Sequence, residues 1–378
     1  MRIVPRHSFD FSFSWILQWI VISEEKKNRL ICKARKSFAD SCGVSDALFF
    51  DSARSAFSWL LECLKFPSGS AFILPEYDFF IYRAILRQLG YRVIDCPVRS
   101  TDLQMDCEKL DGLIDGDTRA IIVCNLHSRC TDMLRLREIA DRHNLLVIQD
   151  NVQSFGTLYR GVPLPVYGDY ALYSFGTGKH LPCFGGGALV AASGRFDTEN
   201  YETLRTGPRY KGVFSGLAEW LFTRRLVYAV AVFPVFFLLN LFCRDFLEKV
   251  FFEKQSGFCL PVPAKMPDFK LYLLGLRLEG YVSERLSRAE LAEALKKGLT
   301  EAGIDLPEEN PDMVPDYLFL QLQADEGLSR KLMLRGVDCR HDFCGFSSGR
   351  TPALSSLYLP LYAAMTFEDI AAVIRAAS

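Results

Sequence analysis

The sequence predicts an α/β protein: a large, mostly parallel sheet covered by helices, an apolar insertion, and a smaller α+β domain at the C-terminal end. Three observations predict it. From about Ser37 to Ser193, segments of helical period alternate with short apolar runs. Those runs are almost continuously apolar, as in strands buried on both faces. From Pro267 the pattern changes to one long helical stretch, a few strand candidates and a closing helix.

In chain order, Ser55–Phe66 has helical period, with Phe57, Leu60, Leu61 and Leu64 on one face. Ala71–Leu74 is a strand closed by Pro75, and Phe79–Leu89 a helix ended by Gly90. Arg92–Asp95 and Arg119–Cys124 are strands. Met133–His143 is an amphipathic helix, and Leu145–Ile148 a strand leading to Asp150. Tyr170–Ser174 and Ala188–Ala191 complete the sheet. Beyond the insertion, Lys270–Leu299 reads as a helix, Tyr317–Leu322 and Val337–Arg340 as strands, and Phe367–Ala376 as a helix.

Composition excludes several classes of function. With 378 residues, 49% of them hydrophobic, the chain can bury a large core. A formal net charge of −1 gives no sign of a nucleic-acid or polyanionic partner. None of the 12 cysteines forms a C-x-x-C pair, so no metal site is predicted and the thiols read as reduced, small hydrophobes of a cytoplasmic protein. Phe9–Ile22 is apolar and aromatic, but it contains Asp10 and lacks a small-residue cleavage site, so it does not read as a secretory leader.

Polar groups at the carboxyl ends of buried strands are the expected site positions in such a sheet. Asp150 follows LLVIQ, Ser174 follows YALY, and Lys179 comes five residues later in SFGTGKH, ahead of Gly185–Gly187. Singly, Asp150 reads as a helix cap or turn residue, Lys179 as a solvated charge and the glycines as a bend. Together they meet the needs of pyridoxal phosphate: a lysine for the Schiff base, a carboxylate for the pyridine nitrogen, and hydroxyl and N–H donors for the phosphate.

From about Lys36 onward the chain resembles the DegT/DnrJ/EryC1/StrS sugar aminotransferases, which are fold-type-I pyridoxal-phosphate enzymes. LLVIQDNVQSFGTLYRG is similar to the family's L-x-V-I-E-D-A-A-Q-A-x-G-x-x-Y-x-G, and YSFGTGKHLPCFGGGALV to its F-S-F-x-P-G-K-x-L-x-x-x-G-D-G-G-A. LPEYDFF resembles V-P-x-F-T-F, and YLPLYAAMTFEDIAAVIRA resembles the family's tail. The resemblance implies that Lys179 holds the cofactor covalently and moves a proton, and that Asp150 pairs with the pyridine nitrogen. It implies further that Gln153 lies against the ring, that Ser174 and the backbone at Ala53–Arg54 face the phosphate, and that Phe79 stacks on the ring, with Tyr77 as a rival. It also implies a homodimer, a nucleotide-linked keto-sugar substrate and an amino-acid donor, glutamate.

The chain departs from the family pattern in four places. Ala53 stands where the family usually has glycine, and Asn125-Leu126-His127-Ser128 where it has His-Leu-Tyr-Gly. Asp268 aligns with an asparagine that the family offers to a partner's phosphate, and the segment near His341 matches poorly. Two other readings therefore stand beside transamination: a sugar dehydratase, disfavoured because Lys179 is intact, and a non-catalytic, membrane-bound member.

Between the lysine loop and Pro267, Leu226–Cys243 carries no charge, and Val213–Leu221 and Phe246–Phe252 are apolar-rich. The run reaches the ~18 residues of a membrane span, yet both flanks must build one active site, so a single crossing is excluded. Pro234 would bend it, and Arg224, Arg225, Arg244 and Lys249 flank both ends. The reading is a re-entrant or in-plane helical hairpin on the cytoplasmic leaflet, making membrane contact through 213–252 and making the protein peripheral or monotopic. The alternative is an apolar hairpin buried between subunits. The chain is thus divided into a cofactor-binding α/β domain (37–212), the insertion (213–266) and a small domain (267–378), with 1–36 packing on the small domain or on the membrane.

Overall fold

The computed structural model describes residues 2–9, 11–192, 196, 198–242, 259–324, 326–341, 345–347 and 355–378. Its centre is a seven-stranded sheet. In chain order the strands are Ala47–Phe50 (β1), Ala71–Pro75 (β2), Arg92–Cys96 (β3), Thr118–Cys124 (β4), Leu146–Asp150 (β5), Tyr170–Ser174 (β6) and Gly187–Ala191 (β7). The spatial order is β1-β7-β6-β5-β4-β2-β3. The strands from β6 to β3 are parallel, and β7 and β1 close the edge antiparallel.

Strand alternation sorts side chains between two layers of helix. Phe72, Leu74, Ala120, Ile122 and Ile148 face the layer holding Ala53–Leu64 and Ile81–Gln88, which we call α3 and α4. Ile73, Ile121, Val123 and Val147 face Met133–Arg142, α5. Phe13–Val21 (α1) and Glu24–Ser41 (α2) cover the β1–β7–β6 end together with the start of the long helix Asp268–Glu301.

That long helix, 34 residues and about 50 Å, runs through both cores. Phe269, Leu271, Tyr272 and Leu274 belong to the large-sheet core, whereas Leu291, Leu295 and Leu299 belong to a second core under the small sheet. The small sheet has the order Phe319–Ala324, Ser355–Pro360, Arg340–His341, and the helix Phe367–Ala377 packs beneath it. The N-terminal residues strap onto this domain: Val4 bridges Val337, and Arg6 pairs with Asp338 at 2.7 Å.

Most predicted elements fall where their patterns place them, and three readings need correction. The strand expected at Val337–Arg340 is Arg340–His341 instead, because Val337 is occupied by its bridge to Val4. The helix expected from Phe79 starts at Ile81, since Tyr77–Asp78 is a short strand paired with Gly345–Phe346. Ala53 requires no glycine-like backbone: it lies in the first turn of α3 and is not among the positive-φ residues.

The insertion forms Val213–Phe222 (α6) and Arg225–Leu239 (α7), bent by 72° at a short break. A π-turn at Tyr228–Val232 lies just ahead of Pro234, whose ring cannot join an ordinary helical ladder. Among the described residues no single helix is long and apolar enough to cross a membrane. The expected return limb at Phe246–Phe252 lies outside the described residues. Burial pushes the thiols of Cys42 and Cys183 up to about 12.

Candidate active site

Asp150 is the last residue of β5, and register places it beside Cys124 of β4 and Leu172 of β6. It is buried, and Oδ1 accepts the Val152 N–H at 3.0 Å. Among the described residues Oδ2 has no partner at hydrogen-bond geometry, although the Tyr82 hydroxyl stands close enough to favour the charged carboxylate. Burial raises its pKa, opposed by the Val152 N–H, Tyr82 and the charge of Lys179. A buried carboxylate oxygen left open, within the electrostatic reach of an amine on the next strand's loop, fits a cationic ring nitrogen.

The other end of the site is built by close approach. Ser174 ends β6 and pairs with Gly187, the first residue of β7. A Cβ at Gly187 would lie 2.3 Å from the Ala53 amide nitrogen, so only glycine lets β7 meet the start of α3. Ser52 caps that helix by accepting the Ser55 N–H at 3.2 Å. A hydroxyl and a helix N-terminus therefore converge, as a phosphate requires. Gly176 brings Lys179 into the same place: a Cβ there would lie 3.8 Å from Ser174 Oγ and 3.9 Å from Lys179 Cγ. Arg54 is exposed on the first turn of α3.

Gln153 is buried, and its Oε1 accepts the His127 N–H at 3.0 Å. His127 and Ser128 both adopt left-handed backbone, with φ of 62° and 58°. Ser128 tolerates this because its hydroxyl donates to Gln153 O at 3.1 Å. The His127 ring bonds the Tyr358 hydroxyl at 2.8 Å, and burial drives its pKa well below the ordinary histidine value. Tyr77 faces that imidazole, with centroids 6.2 Å apart. Phe79 meets Phe80 edge-on at 5.0 Å.

Lys179 lines a cleft of about 720 Å³, open mouth included, together with Thr177, Arg277, Arg288, Tyr358 and the N-terminal residues Arg6 and His7. His180 does not act there: its Nε2 meets Asp316 O at 2.9 Å, and burial lowers its pKa to about 4. Asp268 is exposed on the first turn of the long helix, and within this chain it turns to solvent. Beside it, Lys270 donates to Phe184 O at 3.0 Å.

Several residues of this neighbourhood escaped the sequence reading. Asp78 is buried near Asp150; burial, against the pull of Arg83, raises its pKa to about 6. Arg288 grips both oxygens of Asp316, at 2.9 and 3.0 Å, while Tyr281 bonds the same carboxylate. Glu219 of α6 bonds Thr177. It had a visible signal, being the sole carboxylate between Glu202 and Asp245.

The chain is 30% identical over 162 residues to a GDP-perosamine synthase of Caulobacter vibrioides, covering 43% of this chain and 44% of that protein. It is 30% identical over 168 residues to a dTDP-3-amino-3,4,6-trideoxy-alpha-D-glucose transaminase of Streptomyces venezuelae, covering 44% of each. The chain thus matches less than half the length of these relatives. Solved structures of an aminotransferase from Streptoalloteichus hindustanus and a sugar aminotransferase from Micromonospora echinospora superpose with TM-scores of 0.74 and 0.71. At 16% and 19% identity, each alignment covers 99% of this chain, with 98% and 99% of the other, and shows a shared fold. Residues 29–215, which contain Asp150, Ser174 and Lys179, match the profile of one family. The chain belongs to the DegT/DnrJ/EryC1/StrS aminotransferase family.

Proposed function

We propose that this chain is a pyridoxal-phosphate-dependent aminotransferase that places an amino group on a keto-sugar. The observation that carries the reading is the buried Asp150 carboxylate, whose Oδ2 is open among the described residues and whose burial-raised pKa the charge of Lys179 opposes. When bound, the cofactor supplies an electron sink for the electrons released at the substrate's α-carbon. Asp150 keeps the ring nitrogen protonated, Gln153 lies along the ring, and Phe79 covers its face. Ser174 and the helix start at Ala53–Arg54 bind the phosphate. Lys179 Nζ would hold the cofactor between turnovers, take the proton from the donor's α-carbon and, in the second half-reaction, deliver one to the sugar carbon that gains the amine.

The names of the curated relatives support a nucleotide-linked sugar as acceptor. Glutamate is the proposed donor, and glutamine, which the name of another relative specifies, is the outcome to test against it. The catalytic unit is proposed as a homodimer, with the division at 212 and 266 separating cofactor domain, insertion and small domain.

A peripheral contact with the cytoplasmic leaflet is part of the proposal. Phe214, Leu226 and Val230 of the insertion are 82%, 77% and 72% exposed. Phe13, Leu17, Ile20 and Val21 of α1 are exposed as well, and Phe13 meets Trp220 at 5.3 Å, so the two elements form one apolar surface. Such a surface would bring the enzyme to a lipid-linked acceptor.

The test is the absorption of the purified protein with added cofactor. A band near the visible edge that disappears in Lys179→Ala supports the reading; a wild-type chain without that band overturns it. A product assay then separates gain of an amine from loss of a hydroxyl.

A further inference from the structure

The insertion is built onto the lysine loop itself. Helix α6 lies on Phe184: a Cβ at Gly216 would fall 2.1 Å from that ring, and one at Gly212 would fall 2.6 Å from the Phe184 carbonyl oxygen. Phe184 also receives the N-terminal strap, with Phe11 5.0 Å and Phe9 6.2 Å away. The polar centre of this contact is Glu219. Its Oε1 lies 2.6 Å from His7 Nε2, and its Oε2 accepts the hydroxyl of Thr177. Thr177 sits two residues before Lys179, inside a tight turn closed by the Lys179 N–H to Gly176 O at 3.1 Å. Gly176 and Gly178 flank Thr177, so the turn has little stiffness of its own. On the far side of Lys179, His180 is fastened to Asp316 O. The lysine is thus bracketed by two side-chain anchors, and one belongs to the insertion.

We propose that Glu219 is a positioning residue for Lys179, acting through the Thr177 hydroxyl, so that the seating of the apolar insertion sets the geometry of the lysine loop. Glu219 joins three parts of the chain: the insertion that carries it, the loop that carries Lys179, and the strap whose Arg6 is paired with Asp338 of the small domain. Both carboxylate oxygens are used, one for the loop and one for the strap. Loss of either oxygen's partner leaves the other in place, so the two links can be tested apart.

The proposal rests on the reading of Lys179 given above, and the experiment separates the two. Amide hydrogen exchange of residues 176–180 is measured in the cofactor-loaded protein, with the pH midpoint of the bound cofactor's absorption and the kcat and KM of turnover. Glu219→Ala and Thr177→Val are each expected to speed exchange in that turn about tenfold, to shift the midpoint in the same direction, and to lower kcat while leaving KM for the keto substrate. The double variant is expected to be no worse than Glu219→Ala alone, because Thr177→Val removes a link that Glu219→Ala has already removed. Thr177→Ser keeps the hydroxyl and is expected to behave as wild type. Glu219→Gln keeps an oxygen for Thr177, so it remains informative if the alanine variant does not fold. Unchanged exchange and midpoint in Glu219→Ala and Thr177→Val, or additive effects in the double variant, would overturn the proposal. Absence of the Lys179-dependent band in the wild type would instead overturn the reading beneath it.

Discussion

His180 Nε2 lies 2.9 Å from the backbone carbonyl oxygen of Asp316 and joins the lysine loop to the entrance of the small domain. Around that carbonyl, Arg288 and Tyr281 hold the Asp316 carboxylate, and the Asp316 N–H reaches Thr157 Oγ1 at 3.3 Å. The loop carrying Lys179, the turn after β5 and the long helix are therefore tied at one residue. Such a hub fixes the end of the lysine loop relative to both cores.

Burial keeps His180 neutral, with a pKa of about 4 against the ordinary 6.5. Below pH 6.5 the unfolded chain takes up a proton there that the folded chain refuses. The stability from this group is complete above pH 6.5 and is lost as pH falls towards 4, roughly 2 kcal/mol by pH 5. Denaturant unfolding at pH 7 and pH 5 should show a smaller difference for His180→Gln than for wild type. Equal differences would mean that residue 180 is not a buried neutral imidazole.

Asp150→Asn should move stability and activity in opposite directions. The amide oxygen can still accept the Val152 N–H, while a buried charge with an open oxygen is removed. The cofactor-free chain should melt at the same temperature or higher. Turnover should fall on the order of 100-fold or more, since the ring nitrogen loses its counter-charge. A lower melting temperature with activity retained would contradict the assignment of this carboxylate.

Gly187→Ala should weaken cofactor binding. The added methyl would meet the Ala53 amide nitrogen at 2.3 Å and push the start of α3 away from Ser174. An overpacked contact of this kind costs about 1–3 kcal/mol, so thermal unfolding and cofactor titration should both shift. Gly112→Ala, with nothing within 4 Å of its new methyl and, like Gly187, no left-handed backbone, controls for the loss of a glycine alone.

Charges placed on the apolar surface should leave the fold alone and release the protein from lipid. Phe214, Leu226 and Val230 stand mostly in solvent in the single chain, so Glu at these positions should change unfolding by less than about 0.5 kcal/mol. Co-sedimentation with anionic vesicles should fall sharply in the triple variant. Wild type that ignores vesicles and forms a discrete oligomer, which the same charges dissociate, would assign the surface to subunit contact instead.

The central sheet could be read from the residues in order, and so could the candidate groups at its edge. Each strand of the parallel core is a short apolar run, and burial on both faces admits little else. Asp150, Ser174 and Lys179 stood out as candidates because such strands end at the site edge, and because YSFGTGKH and LLVIQDNVQ are long, specific strings. β1 was not legible as a strand: ALFF has four residues and lies just before the stretch read as a phosphate turn. Only the tertiary structure decided which residues stand behind the site. Glu219 is 42 positions from Thr177, and Asp316 is 136 from His180. Hydrogen bonds at such separations depend on how helices pack, and residue type and local period do not encode that packing. The insertion shows the same division. Its apolarity is written in its composition, whereas its seat on Phe184 exists because Gly212 and Gly216 leave room for a ring that only the folded chain brings there.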